Sequence, residues 1–214
     1  MRPSCIALDL DQTLIHYRGE YEGMFEPFTK RNVPKKIVET ARDNTTLVGG
    51  FSIVNLLVTL RSLITHVPDE PAIERELEMW FKNCLALYDD ASRFMKQWEK
   101  KHTPPLAIVT RGDETWQRRK VEFLTLAHDH LFVTEKRITK CDALRKLITR
   151  YGAPLIFVDD KASELDRVRE EGLGENAVLT VLIKRPESIY RDQKAEFPHR
   201  VISTLEDLNP ILAS

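Results

Sequence analysis

Two carboxylates two residues apart, Asp9 and Asp11, close an apolar run in the stretch Cys5-Ile6-Ala7-Leu8-Asp9-Leu10-Asp11-Gln12-Thr13. Such a run reads as a strand buried on both faces. If it stays extended through Asp11, the period of two puts both carboxyl groups on one side, where they repel. A hard divalent cation, or a raised pKa on one partner, commonly relieves that repulsion. The plainer reading is an Asp helix cap followed by a solvated Asp. A second acidic pair, Asp159 and Asp160, follows the apolar Leu155-Ile156-Phe157-Val158. Between the two pairs, Leu106 to Val109 leads into Thr110-Arg111-Gly112. Thr110 offers a hydroxyl, and Gly112 lets backbone N–H groups approach an oxyanion. Lys140, just ahead of a helix opening at Cys141-Asp142, supplies a positive charge, with Lys136 as its rival for that role. Three or four converging carboxylates call for Mg2+, which takes a few carboxylates, water and phosphate oxygens. A nucleophile, a cation, donors on the transferring oxygens and an acid for the leaving group are the parts of phosphoryl transfer.

These residues converge only if the elements carrying them do. After Gly112 the pattern predicts a helix over Glu114–Thr125, a strand over Leu131–Thr134 and a helix over Asp142–Tyr151. A strand over Leu155–Val158, a helix over Ala162–Glu171 and a last strand over Val178–Ile183 follow. Strands alternating with helices of this length indicate βαβ units and a doubly wound parallel sheet, in which ligands sit at the carboxyl ends of the strands. Residues 18–87 read instead as an all-helical block without an evident strand. Helices are expected over Lys35–Ala41, over Gly49–Thr65 with Phe51, Val54, Leu57, Val58 and Ile64 at helical spacing, and after Pro71, with Asp69 or Glu70 near its start. Leu14 to Tyr21 reads as a turn or small hairpin leaving the sheet, with His16 as a structural residue or a catalytic base. The division is therefore an α/β core, residues 1–17 and 88–214, interrupted by a helical insert, residues 18–87.

With 214 residues the chain is long enough for a core plus an insertion. Lys and Arg number 32 against 33 Asp and Glu, so no basic field argues for nucleic acid. The longest apolar stretch, Leu47 to Leu60, is interrupted by Asn55 and falls short of the ~20 residues a membrane span needs. Three widely spaced cysteines indicate neither a disulfide framework nor a zinc site. With no signal peptide evident, the expected location is the cytoplasm. Monomer and homodimer both stay open.

In this order and on these elements, the residues resemble the haloacid dehalogenase superfamily, mainly its phosphatases. The family's Asp-x-Asp-x-Thr motif matches Asp9, Asp11 and Thr13. Its second motif matches Thr110, its lysine Lys140, and its acidic fourth motif Asp159-Asp160. The resemblance implies that Asp9 is the nucleophile and forms an aspartyl-phosphate, while Asp11 protonates the leaving oxygen and then activates water. It implies Mg2+ held by Asp9, the Asp11 backbone carbonyl and a fourth-motif carboxylate, Asp160 directly and Asp159 directly or through the others. It also implies an insert in the position of a helical lid, with the turn around Gly19 and Gly23 as a hinge candidate and Arg18, Lys30, Arg31, Lys35 and Lys36 available to an anionic substrate. Gln12 departs from the glycine most members carry. Arg111 stands where many have Asn, and either touches substrate or pairs with Asp113.

The expected activity is thus a Mg2+-dependent phosphomonoester hydrolase acting on a small phosphorylated metabolite. Alternatives within the superfamily are a phosphomutase or phosphotransferase and a protein phosphatase. A phospho-accepting signalling receiver would need an Asp after the third strand, where this chain has Thr134 and Glu135. A non-catalytic interaction protein would not need the full reactive set.

Overall fold

The computed structural model describes residues 2–19, 21–135 and 138–213. Its strands are β1 (Ile6–Leu8), β2 (Ile15–Tyr17), β3 (Leu85–Leu87), β4 (Leu106–Arg111), β5 (His130–Thr134), β6 (Leu155–Asp159), β7 (Val178–Ile183) and β8 (Arg200–Ile202). Its α-helices are α1 (Glu26–Thr29), α2 (Lys35–Asn44), α3 (Ile53–Leu63), α4 (Glu70–Cys84), α5 (Asp89–Lys101), α6 (Glu114–Phe123), α7 (Lys140–Tyr151), α8 (Ala162–Glu170) and α9 (Asn209–Ala213). The chain divides into two compact units. One comprises Met1–His16, Leu87–Arg111 and Leu126–Ser214; the other comprises Tyr17–Ala86 and Gly112–Thr125.

The first unit is the expected doubly wound α/β fold, with six parallel strands in the order β5-β4-β1-β6-β7-β8. From β1 the chain winds outward through β4 to β5, then returns to β6 on the other side of β1. The β1/β6 boundary is therefore the switch point, the place at whose carboxyl ends such sheets bind ligands. In register, Leu8 lies opposite Ile108 on one side and Val158 on the other. All three β1 residues are buried, because a central strand has both faces covered. One face packs Ala7, Val109 and Phe157 against Leu144 and Leu147 of α7 and Leu165 and Val168 of α8. Thr139 and Asp142 form a capping box, with Thr139 as the N-cap, that fixes the start of α7 at Lys140.

The sheet differs from the sequence reading at its margins. The last strand is β8 rather than β7, since Arg200–Ile202 adds a three-residue parallel edge. So short a strand, largely exposed, carries no readable periodicity. Leu8 to Asp11 does not stay extended: β1 ends at Leu8, the backbone bends at Leu10, and Asp11 forms an isolated bridge with Ile15. Gln12 takes φ +60°, the left-handed region in which glycine is favoured, which accounts for the residue type most of the resembled family carries here.

The second unit is helical, but it is not free of strand. The two-stranded sheet β2-β3 lies where the chain leaves the first unit and returns to it, and Leu85, expected on a helix, sits in β3. On α3 the buried stripe is Ile53, Leu56, Leu57 and Leu60; Val54 and Val58 are exposed. The unit's aromatic core joins Phe51, Phe81 and Trp116, with ring centroids 4.7–5.9 Å apart. Trp116 is the reason α6 packs with this unit. Asp113 caps that helix by accepting the Trp116 N–H, and it also receives Asn55 Nδ2. No single helix among the described residues is long and apolar enough to cross a membrane.

Candidate active site

The carboxyl ends of β1 and β6 bring Asp9, Asp159 and Asp160 together, each contributing an oxygen within 4.8 Å of the others. All three are buried. The Asp9 N–H donates to the Val158 carbonyl, continuing the sheet for one residue past β1. Lys140, at the first turn of α7, donates from Nζ to Asp9 Oδ1 (2.6 Å) and to Asp159 Oδ2 (2.7 Å). The other Asp159 oxygen accepts the Lys161 N–H (2.9 Å). Asp160 Oδ2 accepts from the Ser188 hydroxyl.

Crowding three buried carboxylates around one buried ammonium has electrostatic consequences. Burial pushes the Asp9 carboxyl well above its usual range; Lys140 opposes this, and Asp159 and Asp160 add to it. Burial likewise raises Asp159, against the pull of Lys140, and pushes Asp160 up to about 6. For Lys140 burial works downward, but the Asp159 and Asp9 carboxylates outweigh it and its pKa is raised. The charged ammonium is therefore favoured, and this one lysine is set against three carboxylates. Hard oxygen donors at this spacing, short of positive charge, fit a small divalent cation.

The other expected residues are placed less closely. Asp11 is half-buried, and its side chain is not part of the three-carboxylate group. Thr110 is buried at the end of β4, where its carbonyl accepts from Thr134 Oγ1. Continuing the β1/β4 register puts Val109 level with Asp9 and Thr110 one position beyond. Arg111 is half-exposed and pairs with Glu164 at 3.4 Å, while Asp113 caps α6. Gly112 belongs to the helical unit and has φ +148°; a Cβ there would meet Gln117 at 2.7 Å, so contact with Gln117 and backbone conformation already require glycine. Lys136 lies outside the described residues. His16 stacks on Tyr88 with centroids 4.6 Å apart, which fits its structural reading. In the helical unit, Lys30, Arg31 and Lys35 are engaged by Glu26, by Asp69 and Glu76, and by Glu22 respectively, while Arg18 and Lys36 are exposed. Gly23 is packed against Trp80, where a Cβ would meet the indole at 2.4 Å.

Two residues around the acidic group escaped the sequence reading. Ser188 lies in the irregular segment after β7, and nothing in its neighbours' pattern marks it. Glu164 is buried on the first turn of α8, where it also acts on Lys140. Its place on the first turn of the helix that follows the Asp159-Asp160 pair was the available signal.

A second constellation, Thr180–His199–Asp166, has the residue types of a hydrolytic triad. The Thr180 hydroxyl lies 2.8 Å from His199 Nδ1, and His199 Nε2 lies 2.9 Å from Asp166. Thr180 is fully buried, however, and accepts from Arg169, so no substrate reaches it. Asp166 also accepts the N–H groups of Glu196 and Phe197, pinning the segment that precedes β8. Burial works to raise its pKa, but these donors and His199 outweigh it and hold the carboxyl below its usual range. A depressed pKa in the folded state gives stability that is present above the unfolded value and lost as pH falls through the folded one. Asp166→Asn is therefore expected to lower the melting temperature at pH 7, and the gap from the parent should narrow as pH falls below the ordinary carboxylate range and through the lowered folded-state value. Thermal melts of both proteins across pH check this; a gap independent of pH would contradict it.

No protein-family model and no curated protein matches the sequence. Solved structures do match in fold. A haloacid dehalogenase-like hydrolase of Burkholderia xenovorans LB400 superposes with a TM-score of 0.73 at 15% identity, over 100% of this chain and 98% of that one. The HAD-hydrolase YfnB of Bacillus subtilis, solved bound to magnesium, gives 0.65 at 16% over all of both chains. A protein assigned as a phosphoglycolate phosphatase of Haemophilus somnus 129PT gives 0.59 at 13%, over 99% and 98%. The chain thus has the fold of the haloacid dehalogenase superfamily hydrolases, with its buried acidic group at the switch point of that fold.

Proposed function

We propose that this chain is a Mg2+-dependent phosphomonoester hydrolase that works through an aspartyl-phosphate on a small phosphorylated metabolite. The observation that carries the reading is Asp9 held by Lys140 at the end of β1, beside Asp159 and Asp160. In this reading Asp9, Asp160 and the Asp11 main-chain carbonyl hold Mg2+. Asp160 is preferred to Asp159 because both Asp159 oxygens are already engaged, by Lys140 and by the Lys161 N–H. When bound, the ion would neutralise charge on the transferring phosphoryl group.

The chain's own residues do the rest. The salt bridge to Lys140 fixes the plane of the Asp9 carboxylate, and one of its oxygens attacks phosphorus as the bond to the leaving oxygen breaks. Asp11, outside the three-carboxylate group and half-buried, gives its proton to that oxygen. It then takes a proton from the water that attacks the aspartyl-phosphate, releasing phosphate and restoring Asp9. Thr110 and Lys140 are the proposed contacts of the phosphoryl oxygens, with Arg111 at the edge of the site.

Solved structures of this fold also include L-2-haloacid dehalogenases. Dehalogenation needs no acid for an alkoxide leaving group, and the presence of Asp11 favours the phosphatase. A mutase uses the same Asp pair and stays the second reading. Purified protein is expected to release phosphate from p-nitrophenyl phosphate with Mg2+ and to stop when EDTA removes the metal. Chloride release from 2-chloropropionate without phosphatase activity would overturn the assignment.

A further inference from the structure

The segment after β7 reaches back to the acidic group at one residue. Ser188 is buried, and its hydroxyl donates to Asp160 Oδ2. The Ser188 hydroxyl oxygen itself accepts the Tyr190 N–H at 3.0 Å. With that N–H occupying one side of the oxygen, the hydroxyl proton is directed at the carboxylate, so Ser188 acts as a fixed donor. The segment is itself anchored: Lys161 Nζ lies 5.0 Å from the centre of the Tyr190 ring, and Gln193 Oε1 accepts the Ser163 N–H. Lys161 also donates its own N–H to Asp159. The loop that carries the fourth-motif carboxylates and the segment that carries Ser188 thus hold each other.

We propose that Ser188 is a positioning residue for the cation: by tying Oδ2 of Asp160 it turns Oδ1 toward Asp9 and sets the affinity for the metal. This rests on the reading of Asp9 and Asp160 as metal ligands. The physical reason is orientational. A carboxylate with both oxygens untethered rotates about its Cβ–Cγ bond and must be ordered when the ion binds, whereas one oxygen tethered leaves a single oxygen presented in advance. Partners that orient a metal ligand in this way typically contribute roughly 10- to 100-fold in affinity.

The test uses the full chain and Mn2+ as the probe, with free Mn2+ measured by electron paramagnetic resonance during titration. Ser188→Ala is expected to bind Mn2+ roughly 10- to 100-fold more weakly than the parent. Without metal it should melt in one cooperative transition, lowered by no more than about 10 °C for the two buried hydrogen bonds lost, so that the affinity is read on folded protein. Ser188→Thr, which keeps the hydroxyl, should restore affinity. In turnover, the Mg2+ concentration giving half-maximal rate should rise while the rate at saturating Mg2+ changes little. Should the alanine variant not fold, Ser188→Cys, a weak donor of similar size, carries the same comparison. Equal Mn2+ affinity in the parent and the folded variant would overturn the role of Ser188 and leave the metal site standing. No Mn2+ binding by the parent would instead overturn the metal site, and this inference with it.

Discussion

Asp9→Asn is expected to lower p-nitrophenyl phosphate turnover by on the order of 10^4-fold or more, with the protein still folded. The amide keeps the shape of the carboxylate but is a poor nucleophile, so no aspartyl-phosphate forms by this route. Stability should move little, for a reason visible in the site. Asp9 is buried, its charged form is disfavoured by burial and by the carboxylates of Asp159 and Asp160, and Lys140 supports it. Removing that charge loses one partner of Lys140 but also relieves repulsion, and the two effects oppose each other. Lys140 keeps its bond to Asp159. Steady-state kinetics and a thermal melt on the same preparation decide the matter. Substantial turnover in the variant would remove Asp9 as nucleophile. A collapsed melting temperature would show that the electrostatic account of the site is wrong.

The largest expected loss of stability lies beneath the loop that follows Asp11. Arg185 is buried and donates to Asp90 Oδ1 and to the Thr13 carbonyl, both at 2.8 Å, while its guanidinium lies 4.1 Å from the centre of the Tyr88 ring. Asp90 is also buried, and its second oxygen accepts the Leu205 N–H at 2.7 Å. One ion pair therefore ties together the loop carrying Asp11, the first turn of α5 and the C-terminal segment. Removing one member of a buried pair strands the other, at a cost of about 3–5 kcal/mol. Arg185→Met should thus lower the melting temperature by on the order of 10 °C in a chain of this size. Adding Asp90→Leu removes the stranded charge and should recover part of the loss, which a double-mutant cycle measures. Purely additive effects of the two substitutions would show that the pair does not act as a unit.

How much of this was legible beforehand depends on the range of the interactions involved. The apolar runs at Ile6–Leu8, Leu106–Val109 and Leu155–Val158 mark central strands because burial on both faces demands apolar residues at every position. Their polar ends, Asp9, Thr110 and Asp159-Asp160, then mark the mouth of the sheet, since parallel strands bring all carboxyl ends to one side. Lys140 was legible as a candidate because it stands just ahead of a helix read to open at Cys141-Asp142; in the structure a capping box starts that helix at Lys140 itself. Beyond this, local pattern loses its power. The bend at Leu10, beyond which Asp11 no longer continues β1, goes with a bridge from Asp11 to Ile15 and a left-handed Gln12 that side-chain periodicity does not encode. The packing of α6 with the helical unit is set by Trp116 meeting Phe51 and Phe81, residues dozens of positions away.

The sequence by itself determined the winding of the sheet and the identity of the acidic, basic and hydroxyl groups at its mouth, because hydrophobic period and motif spacing are written in neighbouring residues. Only the tertiary structure decided that Lys140 lies between Asp9 and Asp159, that Ser188 holds Asp160, and that Arg185 supports the loop after Asp11. Each of those contacts joins residues between 19 and 172 positions apart, and which of them meet is settled by the packing of strands and helices rather than by the pattern along the chain.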